Sequence, residues 1–250
     1  MAKREEKEET VGVSLWERLE RPAAAPRASL TPGRIADAAI GIADREGFAA
    51  VTMRKVAAEL GVAPMAAYRH VDGKDELWAL MIDRVSGELE PADEVSGWRE
   101  TLRAHALRTR DTMLRHPWLS HMPAPLFALT PNRMAAAERQ LAALDGLGLD
   151  VDTMMAAFRA VNAYVHGATQ SEAALRQYMA EQGWQSGDES RRGLAPQMAY
   201  LMETGRYPTY RRYTQGAARK DDAEWQFVTG LDCVLDGVAG LVERGTPGRA

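Results

Sequence analysis

The sequence predicts an all-α protein, and three observations carry that reading. Apolar residues, Ala and Leu prominent among them, recur at three- and four-residue spacing along much of the chain. No stretch sustains the every-second-residue alternation of a half-buried strand. The periodic stretches open at Thr, Asp or Pro and close at Gly, as helix caps do. With 250 residues, 46% of them hydrophobic and 26% charged, the chain can bury a sizeable core. Its net charge is 31 − 35 = −4, so any polyanion site must be a local patch. The lone cysteine, Cys233, cannot build a disulfide framework or a cysteine-based zinc site. It sits in an apolar run and is expected to be buried and inert. No run of about 18 apolar residues occurs, so no membrane helix is expected. AKREEKEET, near the start, lacks the apolar centre of an export signal, and a cytoplasmic location is expected.

Residues 1–28 read as a flexible charged arm ending in a Pro/Ala linker. Within it, SLWERLE places Leu15, Trp16 and Leu19 on one helical face. From Arg18 to Arg34 there are four arginines (18, 21, 27 and 34) against one acid, Glu20. Such an arm can enter a minor groove or add only non-specific attraction to a polyanion.

Residues 29–90 read as a first domain. Thr31-Pro32 is an N-cap followed by proline at the first helical position, with Ile35, Ala39 and Ile42 as the apolar stripe and Gly47 as the stop. A second helix starts at Thr52, faces Val56, Ala57 and Leu60 inward, and stops at Gly61. A third, short helix runs from about Pro64 to His70. Asp72 can cap a fourth, with Leu77, Leu80, Met81 and Val85 on its stripe.

Residues 91–250 read as a larger helical domain. Trp98, Leu102, Ala106, Thr109 and Met113 mark a helix closed by His116-Pro117. Pro131 opens another that runs to Leu144, before Gly146 and Gly148. Asp150 or Asp152 caps a long helix with Met154, Phe158, Val161 and Val165 on one face. Gln182 to Gly193 is polar and turn-rich, and is expected to be a mobile loop. A shorter helix is expected over about Ala195 to Thr204. The last helix starts near Asp222 and carries a wide apolar face from Val228 to Val242.

The unit at residues 52–71 is a helix, a glycine turn and a second short helix, which is the helix-turn-helix pattern. So short a helix cannot sustain itself and must be packed on its neighbours, here through Val62, Ala66 or Ala67, and Val71. That leaves Pro64, Met65, Tyr68, Arg69 and His70 outward, on a frame that a major groove admits. Between Thr52 and Lys74 the bases Arg54, Lys55, Arg69 and Lys74 outnumber the acids Glu59 and Asp72, a local 4 − 2 = +2 in an acidic chain.

The stretch TMRKVAAELGVAPMAAYRHVDGKDEL resembles the DNA-binding head of the tetracycline-repressor family of bacterial regulators. The marks are the Thr-capped second helix, the Ala-Glu-Leu-Gly-Val turn, and Tyr-x-His-Val followed by Gly-Lys-x-x-Leu. The resemblance covers roughly residues 31–90. ERQLAALDGLGLDVDTMMAAFRAVNAYVHG is similar to the subgroup with a tetracycline-repressor-like C-terminal domain. The resemblance implies a three-helix DNA-binding head followed by a ligand-binding and dimerisation domain. It implies that Arg54 reads a guanine edge and that the helix start capped by Thr52 meets a phosphate. Tyr68, Arg69 and His70 would bond phosphates, Lys74 would clamp one, and Pro64, Met65 and Ala66 would make apolar base contacts. The chain departs from the family at Ala67, where many relatives carry Leu, so an operator sequence does not transfer. The implied partners are a double-stranded operator, a small hydrophobic or polycyclic effector and a second copy joined through about 150–181 and 222–244.

For the effector, Met155, Asn162, His166 and Thr169 share one face of the long helix with Phe158 close by, and Trp118, His121, Met122 and Phe127 come from an irregular segment. Met and flat aromatics suit a greasy ligand, although such a stripe is also ordinary core. The His through which the tetracycline repressor holds its metal has no counterpart at the aligned position, so no metal or other cofactor is expected. Two competing readings are a helical enzyme acting on a small hydrophobic molecule and a helical adaptor with a vestigial head. Against the first, no Ser-His-Asp set, HExxH, P-loop or paired carboxylates stand out.

Overall fold

The computed structural model describes residues 14–20, 30–91, 96–122 and 129–245, and it is helical throughout, with no strand among the described residues. The described residues divide into two compact units: those up to Gly87 with those of His121–Ala135, and those of Glu88–Ser120 with those from Ala136 onward.

The first unit holds α1 (Leu15–Glu20), α2 (Pro32–Glu46), α3 (Met53–Glu59), α4 (Pro64–Tyr68) and α5 (Lys74–Ser86). Thr31 caps α2 by accepting the Arg34 amide at 3.2 Å, and proline follows at N1. Ile35, Ala39 and Ile42 are fully buried, as the three- and four-residue spacing requires, and α2 packs chiefly on α5. The expected Asp72 cap of α5 is a correction. The cap position is Gly73 at φ +122°, and Asp72 lies just before it. An L side chain is strained at that φ, so the glycine makes the bend and no side chain caps it. Instead the Asp72 amide donates to the Glu76 carboxylate at 2.8 Å.

The second unit holds α6 (Trp98–Arg115), α8 (Val151–Glu181), α9 (Gly187–Glu203), α10 (Pro208–Gly216) and α11 (Ala223–Gly245), with most of α7 (Pro131–Leu144). Its core joins α6, α7, α8 and α11 through Leu102, Ala106, Leu144, Val161, Val165, Phe227, Leu231 and Leu235. Asp150 accepts the Thr153 amide at 3.0 Å and so starts α8. Gly230 has a packing reason: a Cβ there would stand 2.2 Å from the Tyr164 hydroxyl, which donates to the Phe227 carbonyl at 2.7 Å. Leu231→Ala is expected to destabilise this core by about 2–5 kcal/mol. Chemical denaturation reads it, and an unchanged midpoint would contradict the packing.

Two expectations fail in this unit. Cys233 is exposed, because Phe227, Leu231, Leu235 and Val238 form the inward face of α11 and residue 233 falls on the opposite side. Gln182–Gly193 is not a loop throughout. Ser186 accepts the Glu189 amide and Glu189 accepts the Gln185 amide, a reciprocal cap that opens α9 at Gly187. Gly193 lets the Trp184 ring lie on the helix, where a Cβ would come within 2.1 Å of it. The helix α10 went unforeseen.

Candidate nucleic-acid interface and cavity

Within the first unit, α3 starts at Thr52, whose hydroxyl accepts the Lys55 amide at 3.2 Å. The helix ends in a left-handed Gly61 (φ +66°). The Val62 amide reaches back to the Ala57 carbonyl at 3.0 Å and the Gly61 amide to Ala58 at 3.1 Å. This paired closure fixes the angle at which the chain enters α4. Pro64 then sets the first turn of α4, and Ala67 and Val71 lie at 0% exposure against the rest of the unit. Val62 and Ala66 are half-buried. The helix is two residues shorter than expected, so Arg69 and His70 stand on the turn after it.

What faces outward is the set named from sequence. Met65 is 69% exposed and Tyr68 46%, and Pro64, Arg69, His70, Arg54 and Lys74 are exposed with them. Among the described residues the side chains of Arg54, Tyr68, Arg69 and His70 have no hydrogen bond or ion pair. Their neighbours are internally neutralised: Lys55 pairs with Glu46, and Arg45 with Glu59 at 2.8 Å. Lys74 rests 5.8 Å from the Trp78 ring centre, its ammonium otherwise open. The surface therefore presents uncommitted cations around an apolar tip.

One contributor was missed. Arg18 on α1 pairs with Asp72 at 2.7 Å and with Glu76, which covers two of the acids flanking Lys74. These hydrogen bonds, Glu76 first, raise the Arg18 guanidinium above its ordinary pKa. The Trp16 indole N–H donates to the Leu129 carbonyl at 3.2 Å. Arg18 is thus not part of a free basic arm, while Arg21 and Arg27 lie outside the described residues. No local signal could have found a partner 54 positions away.

Within the second unit a cavity of about 660 Å³ is lined by α6 and α7 and the chain before them, including Leu89, Trp98, Thr101, His105, Arg108, Arg139 and Gln140. None of the pocket residues named from sequence lines it. Trp118 is buried beside His116, with ring centres 5.8 Å apart. His121 and Met122 belong to the first unit, where His121 stacks on Phe48, and Phe127 lies outside the described residues. On α8, Met155 and Phe158 are half-buried, His166 bonds the Asn162 carbonyl through Nδ1 at 2.7 Å, and buried Thr169 donates to Val165. Asn162 comes nearest, donating at 3.2 Å to Gln140 in the cavity wall. The missed residues carried a signal: Trp98, Thr101, His105 and Arg108 fall at +3, +4 and +3 on one face of α6.

Residues 35–81 match the family described as bacterial regulatory proteins, tetR family. Residues 90–242 match the tetracyclin repressor-like C-terminal domain. The chain is 37% identical over 233 residues to the HTH-type transcriptional repressor DrrR1 of Streptomyces coeruleorubidus, covering 92% of this chain and 85% of that one. It is similar to ActR of Streptomyces coelicolor solved with actinorhodin, at TM-score 0.68 and 28% identity, over 85% of this chain and 97% of ActR. It is also similar to BioQ solved with its double-stranded DNA operator, at TM-score 0.53 and 28% identity, over 62% and 94% of the two chains.

Proposed function

The chain belongs to the tetR family of bacterial regulatory proteins, and from that premise we propose a cytoplasmic, homodimeric repressor that binds a near-palindromic operator and leaves it when a small apolar molecule binds. The observation that supports DNA reading best is the outward set of Arg54, Tyr68, Arg69, His70 and Lys74 around Pro64, Met65 and Ala66, whose polar side chains have no partner among the described residues except for the Lys74–Trp78 contact. On this reading exposed Arg54 makes a bidentate contact to guanine, and the helix start capped by Thr52 offers free amides to a phosphate. Tyr68, Arg69, His70 and Lys74 supply backbone grip, which positions without specifying sequence. The apolar tip can add contacts to thymine methyls.

One head reads too little DNA to be selective, so two copies about 34 Å apart would meet successive major-groove faces. The outward side of α11 supports pairing. Among the described residues of this helix, Phe227, Leu231, Leu235 and Val238 are buried in its own chain, whereas Trp225, Cys233 and Gly237 are exposed. A second copy covering that side, together with α8, accounts for the remainder. Release follows by linkage: an effector that binds the DNA-incompetent arrangement more tightly lowers operator affinity by that difference.

Selection of bound sequences from a random DNA pool tests the reading, and recovery of no enriched near-palindrome would refute it. Lys74→Ala should weaken all sequences alike. In a dimer it should flatten the slope of log affinity against log salt by about 2, at roughly 0.9 per lost phosphate contact. An unaltered slope would remove Lys74 from the interface.

A further inference from the structure

Among the described residues, the lining of the cavity beside α6 and α7 carries cations without carboxylates. The helix α6 carries five arginines, and four of them face a carboxylate. Arg99 meets Asp236 at 2.6 Å, Arg103 meets Asp232, Arg110 meets Glu172 at 2.9 Å, and Arg115 meets Glu88 at 2.6 Å. Arg108 is the exception. It lines the cavity, and its Nε is buried with no hydrogen-bond acceptor among the described residues. Arg139 lines the same cavity from α7 and also has no ion pair among the described residues. The described lining contains no Asp or Glu. Burial first, and the like charge of Arg139 second, push the Arg108 guanidinium below its ordinary pKa. Two cations with no carboxylate beside them among the described residues repel each other, and an unmet buried donor adds to that cost. Around them the wall mixes apolar Leu89, Pro91 and Trp98 with polar Thr101 and Gln140, and the volume of about 660 Å³ suits a ligand of several rings.

We propose that this cavity is the effector site and that it selects an organic anion: an apolar ring body bearing a carboxylate, sulfonate or acidic phenol that pairs with Arg108 and Arg139. The proposal rests on the reading of the chain as an effector-released repressor, and it adds the place and the charge of the effector. The guanidinium forks suit a planar or multidentate anion, and Trp98 adds an aromatic side chain to the wall. The wall also reaches α8 directly, since Gln140 accepts a hydrogen bond from Asn162 at 3.2 Å. Filling the cavity is therefore felt on a helix assigned to the dimer contact.

The test uses the full chain and two fluorescent probes that share one body. These are 8-anilinonaphthalene-1-sulfonate and its uncharged counterpart N-phenyl-1-naphthylamine. The sulfonate is expected to bind at least about tenfold more tightly than the neutral amine. Arg108→Gln and Arg139→Gln should each remove most of that preference and leave the neutral probe within about twofold. Arg108→Lys should restore part of it. Far-ultraviolet circular dichroism establishes that the variants are folded, and the lysine variant carries the test if a glutamine variant is not. Equal binding of the two probes, or a sulfonate preference untouched in every folded variant, overturns the proposal. Binding to DNA selected from a random pool is measured in parallel. A chain that holds DNA but is indifferent to probe charge defeats this inference alone, whereas a chain that selects no DNA defeats the repressor reading beneath it.

Discussion

Replacing Gly237 with Arg is expected to leave each chain folded while converting the protein to a monomer with little hold on its operator. Gly237 sits on the outward side of α11, one turn after exposed Cys233, and a Cβ built there meets nothing within 4 Å. An arginine therefore fits the single chain, and exchanging glycine for it within a helix favours the helix by roughly 0.5–1 kcal/mol. In a dimer, helix axes approach to about 8–10 Å, and a long cation would have to be accommodated without a partner. A monomer presents one head, so its affinity should fall toward the non-specific level, about three orders of magnitude or more below specific binding. Sedimentation equilibrium and DNA titration at fixed salt read the two effects. A stable dimer that still binds the selected sequence would remove the outward side of α11 from the interface. Gly230 provides the contrast, because a side chain there would strike Tyr164 of the same chain and test core packing instead.

Arg54→Ala is expected to cost specific binding far more than non-specific binding. The guanidinium is exposed and without a partner among the described residues, so its removal should leave the melting temperature nearly unchanged. A bidentate guanine contact discriminates by about 1–3 kcal/mol, and a dimer makes it twice, which gives about 2–6 kcal/mol over the full site. Non-specific affinity should lose only the share of one charge per head. Competition between the selected sequence and bulk DNA measures the ratio. Equal losses for both would assign Arg54 to the phosphates and leave sequence reading to apolar contacts and DNA shape.

The head was legible because its determinants lie close together in sequence. The Thr31 and Thr52 caps, the Gly61 turn and the burial of Ala67 and Val71 each follow from neighbours a few positions away. The second unit was less legible for two reasons. Its polar segment at Gln182–Gly193 reads as a loop by composition, and Pro196 lies within the helix that begins there. The cap in which Ser186 accepts the Glu189 amide and Glu189 accepts that of Gln185 is written in the sequence as Ser-x-x-Glu and outweighs that composition. The sequence points to α8 for the cavity, whereas the stripe that lines it is on α6, because a face with mixed apolar and polar groups looks alike in sequence whether it meets core or space.

The sequence by itself determined the helical class, the order of most helices and the outward set around α4, since caps and helical periodicity act over three or four residues. Only the tertiary structure decided which charges are spent and which remain. Arg18 meets Asp72 across 54 positions and Arg99 meets Asp236 across 137. Arg108 meets no carboxylate among the described residues, and Cys233 falls on the exposed side of its helix. Neutralisation and burial depend on what lies opposite in space, and helical spacing identifies a residue's face without identifying what covers it.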